Sequence, residues 1–161
     1  MKKIQAKKIT VEGFRPYGSF MNILNPTGNH LGDFYNDQVL YPVSGAFPVA
    51  FSPLIIHKPA VMKVTMAEYH NTTGECMLAM DDDVIIHVAP PTKDPVSELT
   101  EAFIVPQGTF VQLNTGVWHN GAFPINKDEA HLLIVLPERI YMNDCRVVEY
   151  ETDAQIVIVN Q

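Results

Sequence analysis

Alternation of apolar and polar residues is the clearest pattern in the chain, and it is most regular in the stretch that begins at Met62. Val64 and Met66 share one side of an extended chain with Met62, and Glu68 and His70 continue the same side, because successive side chains of a β-strand point to opposite faces. The pattern predicts one continuous strand whose inner face is first apolar and then acidic and basic. Such a strand is typical of a β-barrel whose last inward residues line a ligand-binding mouth.

Other short apolar runs, separated by turn residues, predict further strands at Glu75–Met80, Val84–Val88, Ala102–Val105, Thr109–Leu113, His131–Leu136 and Ile156–Val159. The sequence also contains twelve prolines and nine glycines, and no apolar stripe of helical period lasts three turns. We therefore predict an all-β barrel with few or short helices, folded as a single domain over residues 1–161.

Composition limits the partners and the location of the protein. Hydrophobic residues make up 47% of the chain and charged residues 18%, with a formal net charge of −7. This balance predicts a globular protein without a nucleic-acid or membrane partner, because such partners require basic patches. The sequence contains neither a run of roughly 20 apolar residues nor a signal peptide. We expect a cytoplasmic protein in which Cys76 and Cys145 are buried, reduced thiols.

Two segments beside predicted turns carry the candidate chemistry. His70 and Glu75 flank one strand-turn-strand connection, and His119 follows the turn that begins at Asn114. We expect both segments to face one barrel mouth. Imidazole and carboxylate ligands together suit divalent transition metals such as Zn, Mn, Ni or Fe, and three or four of them leave positions open for a substrate. The alternative for His70 and His119 is a hydrogen-bonded structural role.

Both segments resemble the two split metal-binding motifs of the cupin superfamily, as Glu68-x-His70-x-x-x-x-Glu75 and Asn114-x-Gly116-x-x-His119. Glu68 stands where the cupin pattern usually has its first His, and Asn114 stands where it usually has Pro. The resemblance implies a cupin, jelly-roll-type barrel and a divalent metal held by His70, Glu75, His119 and Glu68.

A second resemblance, to the ureidoglycolate lyase family, extends over most of the chain. This family, formerly called ureidoglycolate hydrolase, is a branch of the RmlC-like cupins. The matching pieces are 13–18, 58–60, Glu68-Tyr69-His70 with Glu75, 102–104, 116–119, and Arg139 spaced before Cys145.

That resemblance implies a dimeric enzyme, with one or two cupin barrels, that splits ureidoglycolate into glyoxylate and urea during allantoin breakdown in purine catabolism. The implied cofactor is Ni, Mn or Zn, and the substrate is a small hydroxy acid. Its catalytic groups would be Glu68, His70 and His119, with Glu68 as the base if it is not a ligand. For substrate binding we expect Arg139 to hold the carboxylate, with Trp118 and Asn114 beside it.

Two other functions are compatible with the same residues. A cupin isomerase or epimerase acting on a sugar or hydroxy acid would use the same metal and base but release no urea, so product analysis separates it from a lyase. A non-catalytic barrel that holds a small carboxylate or sugar would bind its ligand with almost no metal present.

Overall fold

Strands dominate the computed structural model, which describes residues 1–43 and 45–160. They run in chain order as β1 (Lys2–Lys8), β2 (Gly18–Asn22), β3 (His30–Leu31), β4 (Phe34–Tyr35), β5 (Val49–His57), β6 (Lys63–Val64), β7 (Met66–Tyr69), β8 (Glu75–Ala79), β9 (Val84–Ala89), β10 (Glu101–Val105), β11 (Thr109–Leu113), β12 (Trp118–Pro124), β13 (Glu129–Pro137), β14 (Arg146–Glu149) and β15 (Ile156–Val159). Helices α1 (Val11–Phe14) and α2 (Ile140–Asn143) have four residues each, and Ser97–Leu99 forms a 3-10 turn. The predicted all-β class with few or short helices is confirmed.

Two large sheets build the barrel. The first contains eight strands in the order β14-β7-β12-β9-β10-β1-β15-β6, and the second contains five in the order β2-β11-β8-β13-β5. Strands β3 and β4 form a separate hairpin. The eight-stranded sheet must curl strongly, because β6 at one end is joined through the single residue Thr65 to β7 near the other end.

This curl creates two apolar cores on opposite faces of one sheet. The first core contains Phe14 and Phe103, whose ring centroids are 5.2 Å apart at 87°, together with residues of β8, β11 and β13 from the five-stranded sheet. The second core contains Val64, Trp118 and Ile156 and is built from the eight-stranded sheet and the segments beside it. Strand β9 is buried on both faces, which explains its nearly continuous apolar sequence.

Most predicted strands are confirmed within two residues at either end. Strands β11 and β15 have the predicted bounds, and β8, β9, β10 and β13 differ from their predicted bounds by one or two residues. These strands pack at least one face into a core, so their apolar pattern follows their burial.

The prediction of one continuous strand from Met62 to His70 is wrong. The chain divides at Thr65, because β6 pairs with β15 whereas β7 pairs with β12 and β14. The backbone carbonyl of Thr65 instead accepts a hydrogen bond from the amide of Tyr150, at 2.7 Å. Val64 and Ala67 both enter the second core, although a regular strand would place them on opposite faces. The break lies where the curl of the sheet changes the direction of the chain.

Candidate metal centre and substrate cavity

The candidate site lies where β7, β8 and β12 meet. His70 follows β7, Glu75 begins β8, and His119 lies on β12 directly opposite Glu68 in the β7–β12 ladder. The connection between His70 and Glu75 is fixed by Asp144, whose carboxylate accepts hydrogen bonds from the backbone N–H groups of Asn71 and Thr72 at 2.9 and 2.7 Å. These three strands therefore bring together residues that are far apart in sequence.

A glycine allows Glu75 to reach this position. A Cβ atom added at Gly74 would lie 2.0 Å from the backbone carbonyl oxygen of Leu113 in β11. Non-bonded atoms do not approach each other this closely, so only glycine lets the start of β8 lie so near β11. The close approach places Glu75 opposite Leu113 in the ladder.

One carboxylate oxygen links the two imidazoles. Glu75 Oε2 lies 3.1 Å from His70 Nε2 and 3.2 Å from His119 Nε2. All three side chains are buried, with 3% of His70, 7% of Glu75 and 3% of His119 exposed. Their candidate ligand atoms lie within 4.8 Å of one another, and Glu68 is not in this group. The structure thus brings together three of the four predicted ligands.

The second nitrogen of each ring determines what the cluster can bind. His70 Nδ1 lies 2.7 Å from the backbone oxygen of Asp144, and His119 Nδ1 lies 2.9 Å from that of Val117. A carbonyl oxygen only accepts hydrogen bonds, so both Nδ1 atoms are donors. The two Nε2 atoms of neutral rings then present lone pairs toward a carboxylate oxygen, which is also an acceptor. Three converging acceptors need a proton or a cation between them, and this donor set fits a divalent metal.

Electrostatics within the cluster favour an ionised carboxylate. Burial alone would raise the pKa of Glu75, but the charges and hydrogen bonds of His119 and His70 outweigh it and lower that pKa to about 2. Burial likewise acts to lower the pKa of His119, but the Glu75 carboxylate raises it above its usual value. The cluster therefore retains a negative charge that a cation or an imidazolium neutralises.

A cavity of about 410 Å³ opens beside the cluster. His70 and Glu75 form part of its wall, together with Glu68, Asn120, Gly121, Arg139, Tyr141, Cys145 and residues of β5 and β13. Arg139 precedes α2 with a left-handed backbone, at φ 61°, which is uncommon for a residue other than glycine and often found at functional sites. The cavity has the size of a small-molecule site and offers one guanidinium and two carboxylates.

Comparison with known proteins identifies the family of the chain. A sequence profile of the ureidoglycolate lyase family matches residues 1–157. The chain belongs to the ureidoglycolate lyase family. This membership confirms the predicted family and makes the protein an enzyme of the lyase class. A search of curated proteins gave no match.

One similar solved structure is RmlC from Streptococcus suis in complex with dTDP-D-xylose, at 10% sequence identity and a TM-score of 0.39. The alignment covers 56% of this chain and 44% of that chain, so it spans less than half the length of RmlC. Neither short helix among the described residues has the length and hydrophobicity needed to cross a membrane.

Trp118 and Asn114 do not line the cavity of this family member. Trp118 precedes His119 on β12 and so points to the opposite face, into the second core, where its Nε1 donates a hydrogen bond to Thr92 Oγ1 at 3.1 Å. Asn114 is exposed in the turn before β12, and its backbone N–H donates to the oxygen of Tyr17 at 2.8 Å. The cavity gives no support to their predicted contact with substrate.

Cys145 is a cavity residue to which the sequence analysis gave no role at the site. Both cysteines are free, Cys76 is buried, and Cys145 is half-buried. The Cys145 thiol donates a hydrogen bond to Glu68 Oε2 at 3.1 Å. Burial, followed by the hydrogen bond and charge of Glu68, raises the pKa of Cys145 to about 12, so the thiol stays neutral and remains a donor. Its position after Arg139, among the pieces that resemble the ureidoglycolate lyase family, is the one signal for it in the sequence.

Proposed function

We propose that this lyase splits ureidoglycolate into glyoxylate and urea in the cavity beside His70, Glu75 and His119, and that these three side chains bind a divalent metal ion. The observation that carries the proposal is the convergence of two imidazole Nε2 atoms on one oxygen of Glu75, at 3.1 and 3.2 Å. Family membership supports the reaction, and the three ligand types suit Zn, Mn or Ni.

The reaction requires one proton to move. Ureidoglycolate is a hemiaminal, so its hydroxyl loses a proton as the carbon–oxygen double bond forms and the carbon–nitrogen bond breaks. The departing nitrogen gains a proton and leaves as urea. One proton is released and one is consumed, so a single carboxyl group can serve as base and then as acid.

In this proposal Glu68 transfers that proton and Arg139 binds the substrate carboxylate. Both line the cavity, Glu68 lies outside the group of three ligands, and the Cys145 thiol orients its carboxylate. A guanidinium matches a carboxylate with two parallel hydrogen bonds. When bound, the metal lowers the pKa of a coordinated hydroxyl and stabilises the negative charge that develops on its oxygen.

Metal content and product formation test the proposal on one sample. We expect mass spectrometry of the purified protein to give about one divalent ion per chain, because three protein ligands are the usual number at a catalytic metal site with one open position. The same sample should release glyoxylate and urea in equal amounts from racemic ureidoglycolate. Metal without products would indicate a different substrate for the same site. Absence of metal, with ligand binding retained, would instead favour a binding module.

We also propose that the lyase is a homodimer that pairs through β5. This nine-residue strand lies at the end of the five-stranded sheet, and Phe51 and Ile55 on it are 67% and 52% exposed. A long edge strand with exposed apolar side chains is a template for pairing with another chain. Because β5 also lines the substrate cavity, a second copy there would help to close it.

Sedimentation velocity tests the dimer. We expect a particle of twice the 18.0 kDa chain mass and its conversion to monomer by Phe51→Glu, which introduces a charge into the apolar strand. Phe34→Glu, at an equally exposed aromatic residue outside the five-stranded sheet, is the matched control. A monomeric protein, or equal dissociation in both variants, would contradict pairing through β5.

The proposed role in allantoin breakdown and the proposed cytoplasmic location are supported by the family and by the two free thiols, since reduced cysteines are typical of that compartment. Cell fractionation checks the location, and recovery of the protein in an extracytoplasmic fraction would contradict it.

A further inference from the structure

A second, smaller cavity shares with the substrate cavity the strand segment that follows His119. Its volume is about 210 Å³, and its wall includes Lys63, Thr65, His87, Asn120, Gly121 and Phe123. Since a water molecule takes about 30 Å³ in the liquid, the cavity has room for a few waters or for one small polar molecule. The residues that line it include one cation and no carboxylate.

His87 is a buried polar side chain without a protein partner. It lies on β9 between Ile85 and Ala89, which both belong to the second core, and only 4% of it is exposed. No hydrogen bond joins its ring to any residue that the structure describes, and its nearest aromatic neighbour is Phe123, at 6.4 Å between ring centroids. Its ring nitrogens are not among the fully enclosed polar atoms that lack a partner in the described chain. They are therefore open to the cavity, where a water molecule or a bound ligand can supply the hydrogen bond.

Lys63 supplies the positive charge. It is half-buried on β6, and its ammonium group forms neither an ion pair nor a hydrogen bond within the described part of the chain. An imidazole carries at least one N–H in either protonation state, so the His87 ring offers a donor. Thr65 and Asn120 also line the cavity, and their side chains carry a hydroxyl and an amide that can donate hydrogen bonds to an anion.

We propose that this cavity binds a small oxyanion, in the size range from acetate to inorganic phosphate, between the ammonium group of Lys63 and the imidazole N–H of His87. The site does not depend on the proposed lyase reaction. Asn120 and Gly121 line both cavities, at the register shift between His119 and Ala122. A bound oxyanion therefore contacts the segment that positions His119.

Titration of the protein with inorganic phosphate at constant ionic strength, monitored by NMR, tests this site. We expect saturable shifts of the His87 imidazole and of the Gly121 amide, while the amide of Gly32 in the exposed β3–β4 turn stays unchanged. Lys63→Gln and His87→Val should each weaken binding at least about tenfold, because each removes one contact to a charged ligand.

Two control variants separate this site from other sources of phosphate binding. Lys93→Gln removes one positive charge from an exposed position and should leave the titration unchanged. His70→Ala disrupts the metal centre and should also retain the shifts at His87. Any of three results would overturn the proposal. Lys63→Gln could bind phosphate as tightly as the wild type, the shifts could be confined to His70 and His119, or no saturable shift could occur. If His87→Val does not fold, Lys63→Gln carries the test.

Discussion

His119→Ala is expected to lower lyase activity more than about 100-fold, because the loss of a partner beyond the ligands already costs a metal site 10- to 100-fold. The substitution removes the Nε2 atom that lies 3.2 Å from Glu75 and leaves the carboxylate with one imidazole. We expect metal content to fall in parallel, measured by mass spectrometry beside the glyoxylate assay. His70→Ala should behave in the same way, because the two rings contact the same oxygen.

Folding is the control for both variants. His70 and His119 are each 3% exposed, so their removal leaves small cavities near a buried charge and should lower the free energy of unfolding by about 1–3 kcal/mol. His30→Ala is the matched control, because His30 is exposed on β3, outside both large sheets and the site. Circular dichroism should show native spectra for all three proteins. Loss of folding in both site variants would contradict a role confined to the metal centre.

The sequence predicts strands best where burial is one-sided or complete. Thr109–Leu113 and Ile156–Val159 match their predicted bounds because their side chains pack into the cores. The division at Thr65 has no local signal, since alternation continues from Met62 to His70 in the sequence. Closure of the eight-stranded sheet imposes the break, and closure depends on the pairing of β14 with β7 and of β15 with β6. The local pattern does not contain these pairings.

In the candidate site, too, local patterns predict some residues, whereas contacts between distant segments are not predicted. Spacing within two short segments predicts His70, Glu75 and His119, because each segment is a strand beside a turn. Alternation places Trp118 opposite to His119, so the face of Trp118 was predictable from the same pattern. The backbone oxygen of Asp144 that binds His70 and the thiol that binds Glu68 come from distant segments and have no counterpart in local periodicity.

The sequence also does not predict the irregular backbone segment after His119. The pairing of β12 with β9 shifts register between His119 and Ala122, and such bulges redirect side chains at functional sites. The bulge brings Asn120 and Gly121 to the walls of two cavities. The strand pairing of β12 determines which residues line each cavity. A period-2 pattern in the sequence is therefore insufficient to predict the cavity residues.

Glu68→Gln is expected to lower kcat about 100- to 10,000-fold, the range in which general acid–base groups contribute, while metal content stays near one ion per chain. The amide keeps the size of the side chain and still accepts a hydrogen bond from Cys145, but it no longer takes up a proton. Because Glu68 lies outside the three-ligand group, a proton-transfer role and a ligand role make different predictions. Loss of metal together with activity would identify Glu68 as a fourth ligand.

Arg139→Gln provides the matched comparison, because it alters the same cavity without removing a proton acceptor. An exposed guanidinium that binds the substrate carboxylate contributes to the ground state and the transition state alike, so its loss should raise KM with a smaller effect on kcat. Steady-state kinetics on racemic ureidoglycolate would then separate the two residues by a KM effect and a kcat effect. Equal loss of kcat in both variants would show that Glu68 and Arg139 act together on the substrate, and would remove the case for Glu68 alone as the base.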